Sequence, residues 1–372
     1  MIMRMSPVMG MTPRCARPAT RSTRSLPART PRSAIGWPSA RNAPIAGGSW
    51  SCRCRRTCLT RSRAPRCRLS MARRRSGNPA ALNAAAEGRA MMSTQLTLRP
   101  ATLSDADACQ RLSAAIGWPH RREDWEFTLA LGQGFVVSSE EDVVGIGLWW
   151  GFGTIHATLG TIIVAPDRQG QGIGKLLTER LIAATEGRTL GLVATPQGEP
   201  LYARYGFIAI DEVRQHQGDW PELAAPVLAA TESMRPAVAA DLPLLAQLDG
   251  EATGLPRASV LEALLARGHA ILIERDGAPA GFGFLRRHGH GWLIGPVAAV
   301  DDAAACNLIA ALLAARRGDF IRIDVPARTG LGAWLSERGL PLVASSVVME
   351  RGAAPAAPGP MHRFALVNQA MG

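Results

Sequence analysis

From residue 96 onward, apolar positions recur with two periods, two and about 3.6 residues, which mark strands and helices in alternation. Leu96-Thr97-Leu98-Arg99 alternates and predicts a short first strand. Ser104-x-x-Asp107 has the form of a helix cap, so a helix is expected from there to about Ile116, where Gly117-Trp118-Pro119 breaks it. A second helix is expected over 122–131. Residues 135–138 and 143–150 are β-rich runs on either side of Glu140-Glu141-Asp142, the pattern of a hairpin. Residues 156–164 predict a third long strand that runs into a glycine-rich stretch. Over 172–184, Ile173, Leu176, Leu177, Leu181 and Ile182 share one helical face. A strand over 189–195, a short helix over 200–204 and a closing strand over 207–210 complete the series.

The pattern then restarts. Residues 218–233, with Pro221 and Pro226, read as a linker. Ser233-Met234-Arg235-Pro236-Ala237 echoes Leu96-Thr97-Leu98-Arg99-Pro100-Ala101, and 241–248 echoes the first helix. A second hairpin is expected around Arg275-Asp276-Gly277, followed by a strand over 292–300, a helix over 303–315, a strand over 320–325 and a short helix over 331–337. One order of elements occurring twice predicts an internal duplication. The expected fold class is therefore α/β (α+β), in two units, each a mixed, mostly antiparallel sheet flanked by helices. The expected division is a leader over 1–92, a first domain over 94–216, a linker over 217–232 and a second domain over 233–372.

Charge changes the picture only for the leader. The chain of 372 residues carries a net charge of +12, but residues 1–90 hold nineteen Arg and one acidic residue, Glu87. The remainder is mildly acidic and gives no electrostatic reason to expect a nucleic-acid partner. The leader has no hydrophobic period and is rich in Pro, Arg and Ser, so disorder is expected there. Met91-Met92 stands directly before the first predicted strand, and translation is expected to begin at one of the two. Five of the seven cysteines lie in the leader, and their spacing fits no zinc framework, so no metal is expected. Cys109 and Cys306 sit at apolar helical positions and suit a reducing, cytoplasmic compartment. The longest apolar run, 308–315, is far short of the roughly 18 residues of a membrane span.

The candidate chemistry lies at the end of the 156–164 strand. Gly170, Gly172 and Gly174 let backbone N–H groups approach an anion closely, and the following helix adds unpaired donors and the positive end of its dipole. Lys175, the chain's one lysine, falls in that first turn. Neither the dinucleotide nor the P-loop fingerprint fits. Val164-Ala165-Pro166 followed by Gln169-x-x-Gly172-x-Gly174, with Leu201-Tyr202-Ala203-Arg204-Tyr205-Gly206-Phe207 downstream, resembles the acetyl-CoA motif of the GNAT superfamily of N-acetyltransferases. Ala194-Thr195-Pro196-Gln197-Gly198 resembles a branch with two tandem GNAT units.

The resemblance implies acetyl-CoA as co-substrate. Backbone groups from Gly170 through Gln171, Gly172, Ile173 and Gly174 to Lys175 would hold the pyrophosphate, with Gln169 at the position where the family has Gln or Arg. Ile162, Ile163 and Val164 would pair with the pantetheine arm like an added strand, one N–H polarising the thioester carbonyl. Tyr202 matches the family's general acid for the leaving thiolate, and Tyr205 is read as packing. For the base, His156, Glu123, Asp124 and Glu126 are candidates. Trp118, Trp125, Trp149 and Trp150 are candidates for an acceptor pocket as well as for the core.

In the second unit the loop is replaced by Asp301-Asp302, which would repel a phosphate and cap a helix instead. That unit is expected to bind no acetyl-CoA, although Arg257 is a candidate contact for an anionic acceptor. The expected activity is transfer of acetyl to a primary amine, of a small molecule ahead of a protein or peptide, by direct attack in a ternary complex. A non-catalytic acyl-CoA sensor is the alternative.

Overall fold

A computed structural model describes residues 96–372 except 141, 221–225 and 315. The expected leader, and part of the expected linker, lie outside these residues. The first series runs β1 (Leu96–Pro100), α1 (Ala106–Ala115), α2 (Arg122–Leu131), β2 (Gln133–Ser139), β3 (Asp142–Phe152), β4 (His156–Val164), α3 (Ile173–Ala184), β5 (Thr189–Ala194), α4 (Glu199–Ala203) and β6 (Ile208–Asp219). The second runs β7 (Glu232–Pro236), α5 (Leu242–Thr253), α6 (Ala258–Leu265), β8 (Gly268–Arg275), β9 (Ala278–His288), β10 (Gly291–Ala299), α7 (Asp302–Leu313), β11 (Phe320–Pro326), α8 (Leu331–Glu337), β12 (Leu342–Arg351) and β13 (His362–Ala365).

The duplication extends to single hydrogen bonds. Arg99 grips Asp105 with both guanidinium ends at 2.9 and 2.6 Å, and the Thr102 N–H donates to the same carboxylate at 2.8 Å. In the second series Arg235 grips Asp241 at 2.9 and 2.8 Å, and the Val238 N–H donates at 2.8 Å. Both aspartates fix the turn between the first strand and the first helix of their series.

The strands were expected as one sheet per unit. They form one continuous sheet, in the order β1-β2-β3-β4-β5-β12-β6-β11-β10-β9-β8-β7, with β13 attached to β10. The two closing strands are exchanged: β12 pairs with β5 of the first series, and β6 with β11 of the second. Each exchanged strand also pairs with the other. The exchange covers both edges that would otherwise be open, and it carries β6 three residues into the stretch expected as linker.

One core is shared as well. Trp125, Phe127, Ile146, Leu148 and Trp150 of the first series pack in one cluster with Leu245, Leu261, Phe282 and Phe284 of the second. Each such side chain contributes roughly 1.5–3 kcal/mol on burial. A polar joint crosses the same interface. The Gly289 N–H donates to Asp124 Oδ2 at 2.9 Å, and His288 Nδ1 lies 3.4 Å from Asp124 Oδ1. On the other face, Ile173, Leu177 and Leu181 of α3 are buried against the sheet. Among the described residues no helix is long and apolar enough to cross a membrane.

Candidate active site

Strands β4 and β5 run parallel and are paired only from His156–Thr189 to Leu159–Leu192. Beyond that they part. The cause is a bulge: Leu148 faces Gly160 while Ile146 faces Ile163, so β4 carries one residue more than β3. Thr161 is that residue, with φ +50 in the left-handed region. Past the bulge, Ala165 N–H donates to Val144 O at 2.9 Å. By antiparallel alternation, Ile163 then bonds to β3, while Ile162 and Val164 turn their backbone groups into the gap beside β5. Of the three strand residues expected to hold an extended ligand, Ile162 and Val164 turn their backbone groups to the gap. Ile163 has its backbone in the ladder and its side chain in the core.

The gap opens onto the start of α3. Its N-cap is Gly172, at φ 84 and ψ 0, and no side chain caps the first turn. A Cβ built on Gly170 or Gly172 would meet nothing within 4 Å, so the space in front of the loop is open. Two glutamines brace the loop from behind: Gln169 Nε2 donates to Val164 O at 3.2 Å and Gln171 Nε2 to Asp167 O at 3.3 Å. Lys175 is exposed, 3.9 Å from Glu179. Uncapped N–H donors and the positive end of a helix dipole face this open space, and together they favour an anion.

Tyr202 stands on α4, just past the end of β5. It packs on the α3 face of the sheet with Leu159, Leu192 and Phe207. Burial pushes its phenol up to about 12. Tyr205 donates instead to Glu179 Oε1 at 2.9 Å, which ties the end of α4 to α3.

His156 lies elsewhere. Side chains of β4 alternate, so His156 and Thr158 face away from α3 and Tyr202. His156 is also at the paired end of the strand, about 26 Å from Val164 at ~3.3 Å per residue. It lines a cavity of ≈ 260 Å³ whose floor is the first-series sheet and whose roof comes from the second series. Thr189 Oγ1 donates to Ile155 O, so it accepts from His156 Nδ1–H at 2.8 Å. Nε2 is thereby left with its lone pair, over Gly191, where a Cβ would come within 3.4 Å. Burial, with Arg363 nearby, lowers the imidazole to about 4. Tyr202 and His156 thus occupy opposite faces of the sheet.

Other expected candidates are structural. Asp124 is held by Arg121, Gly289 and His288 in the joint between the series. Glu126 pairs with Arg122 at 2.9 Å. Trp125 and Trp150 are core residues, with indole N–H groups bonded to Ser113 Oγ and Thr128 O. Arg257 is buried, doubly bonded to Asp249 and also to Gly372 O, so it meets no acceptor. Burial pushes the thiols of Cys109 and Cys306 up to about 12 and 11, which makes neither a nucleophile.

The second series has the same split and has filled it. β10 pairs with β11 only from Trp292 to Ile294, and β13 then pairs with β10 at Val297–Ala299. Leu366 N–H continues to Asp324 O of β11 at 2.9 Å. The chain's own strand therefore occupies the gap. The helix that follows, α7, is capped: Asp301 Oδ1 accepts from Ala304 N–H at 2.9 Å, and Asp301 pairs with Arg275.

Comparison with known proteins agrees with this duplication. Acetyltransferase (GNAT) domain models match twice, over residues 130–209 and 245–363. The uncharacterized N-acetyltransferase YitH of Bacillus subtilis is 29% identical over 276 residues, 70% of this chain and 93% of the relative. A holothin acyltransferase of Pseudoalteromonas is 24% identical over 62% of this chain and 79% of its own length. In fold, the chain is similar to a Pyrococcus horikoshii protein assigned as an acetyltransferase, with a TM-score of 0.61 at 21% identity, covering 76% of this chain and 98% of that one. It is similar also to a tandem GNAT protein from the clavulanic acid biosynthesis pathway, with a TM-score of 0.53 at 17% identity, covering 70% and 100%. Two GNAT segments joined through one sheet, along a length shared with N-acetyltransferase relatives, make this chain a tandem acetyltransferase of the GNAT superfamily.

Proposed function

We propose that the chain transfers acetyl from acetyl-CoA to the primary amine of a small molecule, by direct attack within a ternary complex. The observation that carries this reading is the uncapped, left-handed Gly172 start of α3 at the mouth of an open β4–β5 gap. In this reading, the N–H groups from Gln171 to Lys175 hold the pyrophosphate. The pantetheine arm lies in the gap along Ile162 and Val164, as β13 lies beside β10 in the second series. A gap-facing N–H polarises the thioester carbonyl. The amine nitrogen attacks, the C–N bond forms and the C–S bond breaks. Tyr202, protonated at neutral pH, gives its proton to the departing sulfur.

A histidine lowered to about 4 is an acceptor at neutral pH and does not store protons. His156 is therefore assigned to orient the amine, or its water, through Nε2, and the amine's proton leaves to solvent. The ≈ 260 Å³ cavity is a little smaller than typical ligand pockets of roughly 300–1,000 Å³, which favours a small metabolite as acceptor. The first unit, 94–216, is assigned the cofactor, and the second, 233–372, the acceptor roof. Among the described residues Cys109 and Cys306 are free thiols, which suits a reducing, cytoplasmic setting.

The test is thermal shift with acetyl-CoA, followed by thiol release against an amine panel. Tyr202→Phe is expected to lower kcat by about 100-fold or more, with acetyl-CoA affinity within about twofold of wild type. A variant that turns over at the wild-type rate would remove Tyr202 from the mechanism, and a protein that acetyl-CoA does not stabilise would overturn the reading.

A further inference from the structure

The cavity over β4 and β5 is built from more than His156. Thr158, Gly191 and Glu350 stand in one row of the sheet, on β4, β5 and β12. Neighbouring strands are about 4.8 Å apart, so the glycine leaves a floor between a hydroxyl and a carboxylate. Thr158 Oγ1 is buried without a hydrogen-bond partner. From the roof, Arg363 of β13 reaches the same cavity, and its Nε is likewise buried and unpartnered.

Charge makes Arg363 the unusual member. Three guanidinium groups lie close together here, with the carboxylates of Asp249, Asp211 and, on the cavity floor, Glu350. Asp249 is taken by Arg257, and Asp211 by Arg328. No ion pair of Arg363 occurs among the described residues. Burial draws its guanidinium down to about 10, with repulsion from Arg257 and Arg328 adding to the effect. A half-buried cation with no ion pair, its Nε buried and unpartnered, is costly to keep, and a residue serving only the fold would be better as a hydrocarbon of the same size. A ligand anion removes that cost.

We infer that the acceptor is an amine that also carries a carboxylate, an amino-acid-like compound, and that Arg363 binds the carboxylate from the roof of the cavity. Thr158 Oγ1 and His156 Nε2 then meet the polar groups nearer the amine, whose path to the thioester leads along β4 to the gap. The inference rests on the proposed acetyl transfer and narrows its substrate class. It also explains why the useful arginine lies in a series that binds no cofactor: β13 plugs the second gap and delivers Arg363 to the first unit's sheet.

The test uses matched pairs: β-alanine with ethylamine, γ-aminobutyrate with propylamine, and phenylalanine with phenethylamine. Two readouts are taken for each. One is kcat/KM for acetyl-CoA-dependent thiol release. The other is the Tm shift given by the acceptor with CoA present in place of acetyl-CoA, which needs no turnover. For at least one pair, the wild type is expected to favour the acid by about 30-fold or more, with a larger Tm shift for the acid. Arg363→Gln should abolish both differences while keeping the Tm shift given by acetyl-CoA, and Arg363→Lys should keep part of them. Equal treatment of acid and amine by the wild type, or a preference that survives Arg363→Gln, would overturn the assignment and leave acetyl transfer standing. Absence of any acetyl-CoA shift would instead strike the parent reading, and carboxylate-dependent stabilisation would still report on Arg363.

Discussion

Replacing Gly172 with alanine separates the proposed cofactor role of the loop from its role in the fold. Gly172 has φ 84, and a Cβ there meets nothing within 4 Å. The fold therefore bears only the backbone cost of an L-residue in the left-handed region, roughly 1–2 kcal/mol. For a chain of this size that lowers Tm by about 2–4 °C per kcal/mol. Cofactor binding should lose more. The new methyl projects into the open space before α3, where a phosphate would sit, and loosens one or two charge-assisted bonds worth about 1.5–3 kcal/mol each. Acetyl-CoA affinity should fall by about 10- to 100-fold. Gly187, between α3 and β5, supplies the control: φ is +80 and a Cβ again meets nothing within 4 Å. Gly187→Ala should match Gly172→Ala in Tm and leave acetyl-CoA affinity unchanged. Calorimetric titration and thermal melts of both variants decide the matter. Equal affinities for the two would refute the placement of the pyrophosphate on this helix.

Two further outcomes concern the buried histidines and the cap of α7. His120, His156 and His288 are held at about 3, 4 and 4, burial being the first cause for each. Unfolded, they titrate near 6.5. Between those values the unfolded chain binds protons that the folded chain refuses, so stability should fall as pH drops from about 6.5 toward 4; a Tm that stays flat over that interval would refute their burial as neutral groups. Asp301→Ala removes the cap of α7, at a cost of about 0.5–2 kcal/mol. It should still leave one acetyl-CoA per chain by titration, because β13 keeps the second gap filled, and a stoichiometry of two would refute that account.

Much of this was legible in the chain. Arg122–Leu131 and His156–Val164 have the bounds their periodicity predicts, and the second series echoes the first in order. Local pattern carries that information. The helix cap was misplaced: Ser104-x-x-Asp107 looked right, yet Asp105 holds the turn, because Arg99 reaches it from the strand before. The remainder depends on long-range pairing. The bulge that opens the gap falls on Thr161, a residue type that gives no warning of a positive φ. His156 and Tyr202 both look catalytic in sequence, and only the sheet assigns them to opposite faces. Thr158 stands two residues from His156 on the same strand face, and only the cavity above them shows that the pair belongs to one site. Nothing local marks Arg363, which acquires its setting when β13 folds back against β10. Arg257 was the better candidate by motif, until Asp249 and Gly372 enclosed it.

The exchange of closing strands also sets the timing of synthesis. β5 ends at Ala194, and its partner β12 begins at Leu342. At ordinary translation speeds a ribosome needs on the order of ten seconds to cover that interval. Throughout it the first unit has a bare strand edge, the kind of surface that recruits other chains. The nascent protein thus passes through a stage at which the whole first series has been made and the sheet is still unclosed. A gene cut between the units would make that stage permanent, and either half grafted onto another protein would carry the same open edge.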